Sequence, residues 1–367
     1  MSEPIYDFAI IGAGMAGASL AAELSHHASV LVLEAEDSPG YHATGRSAAF
    51  WDECYGGPDV VPLTLASGHY LREHGFLSPR GALHIARDED LPALEEFQAT
   101  FGGTGATIER RGRADIEKKT PHIRPEWQHA IWEPECADIN VAGLHQHYLG
   151  QMTASRVSLH CRAEIASARF AEGVWDIATL SGETFRAASL INAAGAWADV
   201  VAKIAGVKPL GIAPKRRTVI QLRVVPEAPA DLPLILDING GFYFKPDNGR
   251  IWLSPHDEVP SEPCDAAPEE LDVAQAIDRF ESVTDWCIEN VERKWAGLRS
   301  FAPDRLPIYG RDARQPAFAW FAGQGGFGIQ TAPAAARFMC QQLLGQVSDK
   351  MTVNICNQRY SPARFDS

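Results

Sequence analysis

An α/β fold built from two interleaved domains is predicted for this 367-residue chain by three features of its sequence. A strand, a glycine turn, a helix, a second strand and an acid follow one another within the first 34 residues. Strands running into small-residue or glycine turns and then helices recur near residues 190 and 323. Between these units, at about 80–145 and 213–299, lie two insertions, the second with alternating apolar and polar residues broken by Asn-Gly turns. Length alone favours two domains at ~150 residues each. With 46% hydrophobic and 22% charged residues, the chain has the composition of a globular protein with a sizeable core.

The first unit is the most explicit. Residues 6–11 are a short apolar run entering Gly12-Ala13-Gly14-Met15-Ala16-Gly17, and 18–24 are small, helix-forming residues. A second apolar run at 30–33 ends in Glu34, roughly 20 residues after the first glycine, the spacing expected of a ribose-binding acid. Gly12 permits the tight turn, and Gly14 lets the backbone approach a pyrophosphate at the helix N-terminus. Gly17 lets helix and strand pack closely, and Glu34 can accept from ribose hydroxyls while disfavouring a 2′-phosphate. This is the pattern of a Rossmann-like dinucleotide-binding unit. NAD and FAD share it, so the choice falls to later segments.

Residues 40–49 carry glycine, hydroxyl and arginine side chains suited to phosphate and ring contacts, among them Arg46, Ser47 and Ala48. Residues 188–197 are a strand running into a small-residue turn at Gly195, with a helical stretch beyond it to 205. An aromatic strand at 318–322 enters a loop containing Gly325, Gly326 and Gln330, followed by an alanine-rich helix over 331–344. A glycine loop at a helix N-terminus offers backbone N–H groups and a positive dipole end, which suits negative charge on a reduced ring.

YHATGRSAA (41–49), NAAGAW (192–197), PKRR (214–217), WAGLRSF (295–301) and GQGGFGIQT (323–331) together resemble the D-amino-acid oxidase-like (DAO) family of FAD-dependent oxidoreductases, and most of all its D-arginine dehydrogenase branch. The resemblance runs from residue 6 to about 340. It implies non-covalently held FAD, with the ADP half on the first unit and the isoalloxazine ring between the Arg46-Ser47 loop and the Gly325-Gly326 loop. It also implies an FAD-binding domain from residues 1–80, 146–212 and 300–367 and a substrate domain from 81–145 and 213–299. The latter is expected to be α+β on a mostly antiparallel sheet, with strands at 218–225, 241–245 and 250–254 and a helix at 268–283.

The same resemblance implies substrate-carboxylate contacts at Arg299, Arg217 and Tyr243, and a closing role for Tyr55. An arginine fork is the best anchor for a carboxylate because it makes two parallel charge-assisted bonds. Two positions depart from the D-arginine dehydrogenase pattern: Phe50 stands where that pattern has histidine, and Ala82 where it has glutamate. A cationic side chain in such a pocket would lose its counter-charge, and an unpaired buried charge is very costly. The expected substrate is therefore small and neutral, an amino acid of D configuration as the resemblance implies; Asp52, Glu53 and Asp237 could still supply a carboxylate, but are read as solvated loop acids. Glycine or sarcosine, a 2-hydroxy acid, or a docking role in a larger flavoprotein complex are the alternatives. Oxygen and a quinone are both open as electron acceptor. No histidine shows a metal-binding spacing, and no metal is expected.

The net charge of −14 argues against nucleic acid as a partner, with Arg46, Arg217 and Arg299 expected to concentrate positive charge locally. Seven scattered cysteines without a C-x-x-C pair read as reduced thiols. The uncharged stretch 8–22 is too short to span a bilayer, so no transmembrane segment and a cytoplasmic enzyme are expected.

Overall fold

The computed structural model describes residues 4–154 and 157–365. Its first sheet has eight strands, in the order Ile165–Ala171, Val174–Thr179, Thr184–Asn192, Ile5–Ile11, Val30–Leu33 and Val157–His160; Phe318–Ala322 pairs with Thr184–Asn192, and Ile308–Arg311 with Phe318–Ala322. The centre is parallel. Both faces of a parallel centre are covered, which is why 8–11 and 30–33 are continuous apolar runs, buried throughout. Phe8, Ile10, Val30 and Val32 point into one core with the helices Met15–Leu24 and Ala332–Leu344. Ala9, Ile11, Leu31 and Leu33 point into the other, against the helix Ala198–Ile204 and the antiparallel strands.

The second sheet has ten strands, mostly antiparallel, drawn from residues 82–133, 213–301 and 324–325. Its long ribbon pairs Ala213–Val225 with Cys287–Phe301. The first of these strands starts earlier than residue 218 because the PKRR segment itself pairs, Arg217 lying opposite Gly297 and Lys215 opposite Arg299. The helix Glu270–Val283 begins two residues later than expected, since Glu269 is extended and serves as its N-cap. Val273, Ala276, Phe280 and Val283 bury that helix's apolar stripe in the core of this sheet.

Two features bring the halves together. Gln324–Gly325 adds to the end of the ribbon, with Gly325 opposite Ser300 and Gln324 opposite Phe301, so the glycine loop and the WAGLRSF strand are one hydrogen-bonded unit. A small third sheet joins Phe50–Trp51, Leu77–Pro79 and Ala137–Ile139. Among the described residues, no helix is long and apolar enough to cross a membrane.

Candidate active site

A cavity of about 500 Å3 runs along the seam between the two sheets. At one end its wall includes Glu34 and Glu36; the wall continues past Gly12, Gly14 and Met15 beneath residues 40–49, and it ends at Tyr55, Arg217, Tyr243, Arg299, Gly325 and Gly326.

The turn at the first strand is dictated by close approach. Gly12 has φ +100°, and a Cβ there would lie 2.7 Å from the Ala193 carbonyl. A Cβ on Gly17 would run into the Gly12 carbonyl, so Gly17 serves packing and lies off the cavity wall. The Glu34 carboxylate accepts from the Ala13 amide at 2.7 Å and the Glu36 amide at 3.0 Å, which fixes it at the cavity edge. Thr44 Oγ1 accepts from the Met15 amide at 2.9 Å and pins the 40–49 loop over the helix N-terminus. Ser47, Ala48 and Gly195 line the mid-section. His42 pairs with Glu36 at 2.8 Å and packs on Trp197.

Arg46 also lines the cavity, but its guanidinium is not free to supply positive charge there. It is bound to the Asp265 carboxylate and the Ala266 carbonyl on a strap from the second sheet. The positive focus expected from three arginines therefore reduces to Arg217 and Arg299. Gln330 likewise faces two ways: it belongs to the cavity wall, yet its amide is engaged by Asp52, Tyr55 and Thr64.

Arg217 is only 5% exposed, and neither Nη1 nor Nη2 has a hydrogen-bond partner. Its Nε donates to the Asp257 carbonyl at 2.7 Å, which aims the open edge of the fork, and the Tyr243 ring lies 5.9 Å away. Arg299 lies 5.6 Å from the centre of the Tyr55 ring, and a Cβ on Gly326 would strike both Arg299 and the Tyr55 hydroxyl. Burial pushes both guanidiniums below their ordinary range, with Arg305 adding to the effect at Arg299. A buried cation lacking full compensation is a strong anion site. Phe50 forms part of the wall beside Tyr55 and Tyr243, at ring separations of 5.5 and 5.7 Å. Ala82 is fully buried behind that aromatic layer and off the wall.

Two acids read as solvated from the sequence are buried instead. Asp52 is 1% exposed, with Oδ1 accepting from the amides of Cys54 and Tyr55, both at 2.9 Å. Glu53 is buried and accepts from the Thr107 amide. Tertiary packing overrode the loop preference because the 52–55 turn is covered by the second sheet. Asp52 also meets His84 and Glu133 in a cluster the sequence did not reveal, His84 Nε2 lying 2.6 Å from Glu133 and 4.0 Å from Asp52. Asp52 Oδ2 and Glu133 Oε2 have no hydrogen-bond partner, and burial raises the pKa of both acids, Glu133 to about 7. The cross-strand pairing of Ala82 with Glu133 was the missing signal, and it needed the register to be known.

The seam accommodates a long, two-ended cofactor: the Glu34 carboxylate, a helix N-terminus with glycine-thinned backbone, and a glycine loop opposite an arginine pair line one continuous wall. Residues 7–342 match the family model described as FAD dependent oxidoreductase, DAO. This chain belongs to the DAO family. Its cofactor is FAD, and the enzyme is an FAD-dependent oxidoreductase. Across 92% of its length the flavoenzyme is 22% identical to FAD-dependent oxidoreductase domain-containing protein 1 of Xenopus laevis, covering 79% of that protein. L-proline dehydrogenase from P. horikoshii superposes with a TM-score of 0.86 at 19% identity, covering 100% of this chain and 99% of the other. Glycine oxidase from Geobacillus kaustophilus superposes with a TM-score of 0.83 at 20% identity, covering 98% of both chains. These two likenesses establish the shared fold.

Proposed function

We propose that this flavoenzyme oxidises the CH–NH bond of a small, neutral α-amino acid, of D configuration, to the imino acid. The observation that carries the reading is the open fork of Arg217, buried and without a hydrogen bond at either Nη, at the end of the cavity that also holds Arg299 and Tyr243. An α-carboxylate supplies the two acceptors that the Arg217 fork lacks. FAD, when bound, supplies a two-electron acceptor for the hydride that leaves the α-carbon.

The remaining roles belong to the chain. Arg217 and Arg299 hold the carboxylate, and Tyr55 and Phe50 close the chamber and exclude water. Among the described residues, the ionisable side chains at this end of the wall are Tyr55, Tyr243, Arg217 and Arg299, with neither a carboxylate nor an imidazole to take a proton. The substrate amine therefore gives up its proton before the hydride leaves.

The YHATGRSAA, PKRR and WAGLRSF segments support kinship with the D-arginine dehydrogenase branch. The side-chain end of the chamber argues for a different substrate, because Phe50 lines it and the Asp52 and Glu133 carboxylates lie off its wall. The membership of the two sheets supports the division into an FAD domain (1–80, 146–212, 300–367) and a substrate domain (81–145, 213–299).

Anaerobic bleaching of the bound FAD tests the reading directly. A panel of neutral D-amino acids, their L enantiomers, D-arginine, glycine, sarcosine and 2-hydroxy acids is mixed with the purified holoenzyme. Bleaching by neutral D-amino acids in preference to the rest is expected. Preference for any other class replaces the substrate, and a yellow protein that none of them bleaches points to a docking flavoprotein. Reoxidation of the bleached enzyme by oxygen or by a quinone then identifies the acceptor.

A further inference from the structure

Glu258 stands behind the arginine pair, and no motif drew attention to it. Its Oε1 lies 3.5 Å from Arg299 Nη1 and 3.8 Å from Arg217 Nη2. Neither contact is a hydrogen bond; the carboxylate is held elsewhere. Arg305 grips it with both Nη atoms, at 2.7 and 3.0 Å, and Lys215 Nζ donates to Oε2 at 3.0 Å. Burial alone would raise its pKa, but the hydrogen bonds from Arg305 and Lys215 outweigh it and hold the carboxyl at about 2, so it stays ionised.

The segment that carries Glu258 is fixed as well. His256 is left-handed at φ +56°; its Nδ1 meets the Gly240 carbonyl at 2.7 Å, and its amide donates to Ser254 Oγ. Asp257 accepts from Thr218 through both carboxylate oxygens, and its carbonyl accepts from Arg217 Nε. Glu258 is thus a pinned anion beside the arginine pair and off the cavity wall.

We propose that Glu258 is a positioning and selectivity residue for the carboxylate site: a fixed counter-charge that holds Arg217 and Arg299 in place, weakens their grip on an incoming monocarboxylate, and disfavours a dianion. The inference rests on the reading of the arginine pair as the carboxylate anchor. Two anions at the same guanidiniums repel each other, and in a site with an effective dielectric of about 20 a like charge ~6 Å away changes affinity by more than tenfold before screening. The repulsion scales with ligand charge, which a purely structural role would not reproduce.

The test uses the FAD holoenzyme, with acetate and malonate as probes read by perturbation of the flavin absorbance. Glu258→Gln is expected to bind acetate at least about fivefold tighter and malonate about twenty-fivefold tighter, while Glu258→Asp stays near the parent for both. Retained FAD absorbance in each variant reports an intact fold. If Glu258→Gln binds both probes as the parent does, or more weakly, the inference is overturned. Arg299→Met separates the two readings: loss of acetate binding there with no effect at Glu258 defeats this inference alone, whereas unchanged acetate binding in Arg299→Met defeats the anchor beneath it.

Discussion

Gln330 and Asp52 hold each other reciprocally: the Asp52 amide donates to Gln330 Oε1 and Gln330 Nε2 donates to the Asp52 carbonyl, each at 3.2 Å. Gln330 Nε2 also reaches the Tyr55 carbonyl at 3.2 Å and Thr64 Oγ1 at 2.9 Å. The glycine loop and the turn that carries Tyr55 are therefore one clamp. Gln330→Ala strands buried backbone groups at about 1–3 kcal/mol each and frees the turn. Its kcat/KM is expected to fall about tenfold or more with FAD retained. Unchanged kinetics in a yellow, folded variant would remove Gln330 from the positioning of Tyr55.

Arg299→Met should raise KM by about a hundredfold, in line with the ~2–5 kcal/mol typical of truncating one partner of a buried charge pair. Arg217→Met should act similarly, its guanidinium being open at both Nη atoms. Steady-state kinetics with FAD content measured in parallel checks both. A KM within twofold of the parent in either variant would contradict its role as an anchor.

Much of the cofactor half is legible from the sequence because its signals are local. Gly12, Gly14, Gly17 and Glu34 state their geometry within one strand–turn–helix–strand unit, and burial on both faces writes itself as continuous apolar runs. The substrate half depends on register. That Gly325 lies opposite Ser300, and Ala82 opposite Glu133, follows from pairings between distant segments. Asp52 looks like a loop acid until Gln330 and Glu133 arrive from 278 and 81 positions away, the first separation being the span of the hydrogen bond itself. Glu258 is one acid in an ordinary charged dipeptide, and only the left-handed turn at His256 and the clasp of Arg305 and Lys215 give it meaning.

Gly326→Ala is a steric probe of the closed chamber. The added methyl would meet the Tyr55 hydroxyl and the Arg299 guanidinium, so one of them must move. Turnover should drop at least about tenfold, on the reasoning that small displacements of positioning groups are expensive in rate. Wild-type kcat/KM in this variant would mean that the chamber is looser than the contacts indicate.

Among the described residues no carboxylate or histidine lines the substrate end, which makes a kinetic prediction. The acidic limb of kcat/KM should follow the ionisation of the substrate amine, since the protonated amine cannot release a hydride. Substrates whose amines differ in pKa should shift that limb by a matching amount. A limb that stays at one pH for every substrate would indicate a protein base in its place.

Glu133 offers a stability test with a definite sign. Burial raises its carboxyl from 4.5 to about 7, so the native state keeps a proton that the unfolded chain releases between those values. The contribution is fully present below about 4.5 and is lost as pH rises through 7, at a slope of no more than ~1.4 kcal/mol per pH unit. Glu133→Gln keeps the site neutral at every pH while still reaching His84. Relative to the parent, its Tm should therefore improve between pH 5 and pH 8, by several degrees at the ~2–4 °C per kcal/mol expected of a chain this large. Asp52 is raised by burial and in part by Glu133 itself, so the difference reports the coupled pair of acids, with Glu133→Gln easing Asp52 in the same direction. An equal Tm gap at the two pH values would show that Glu133 is ionised in the folded protein throughout, and that the cluster with His84 is a charged one.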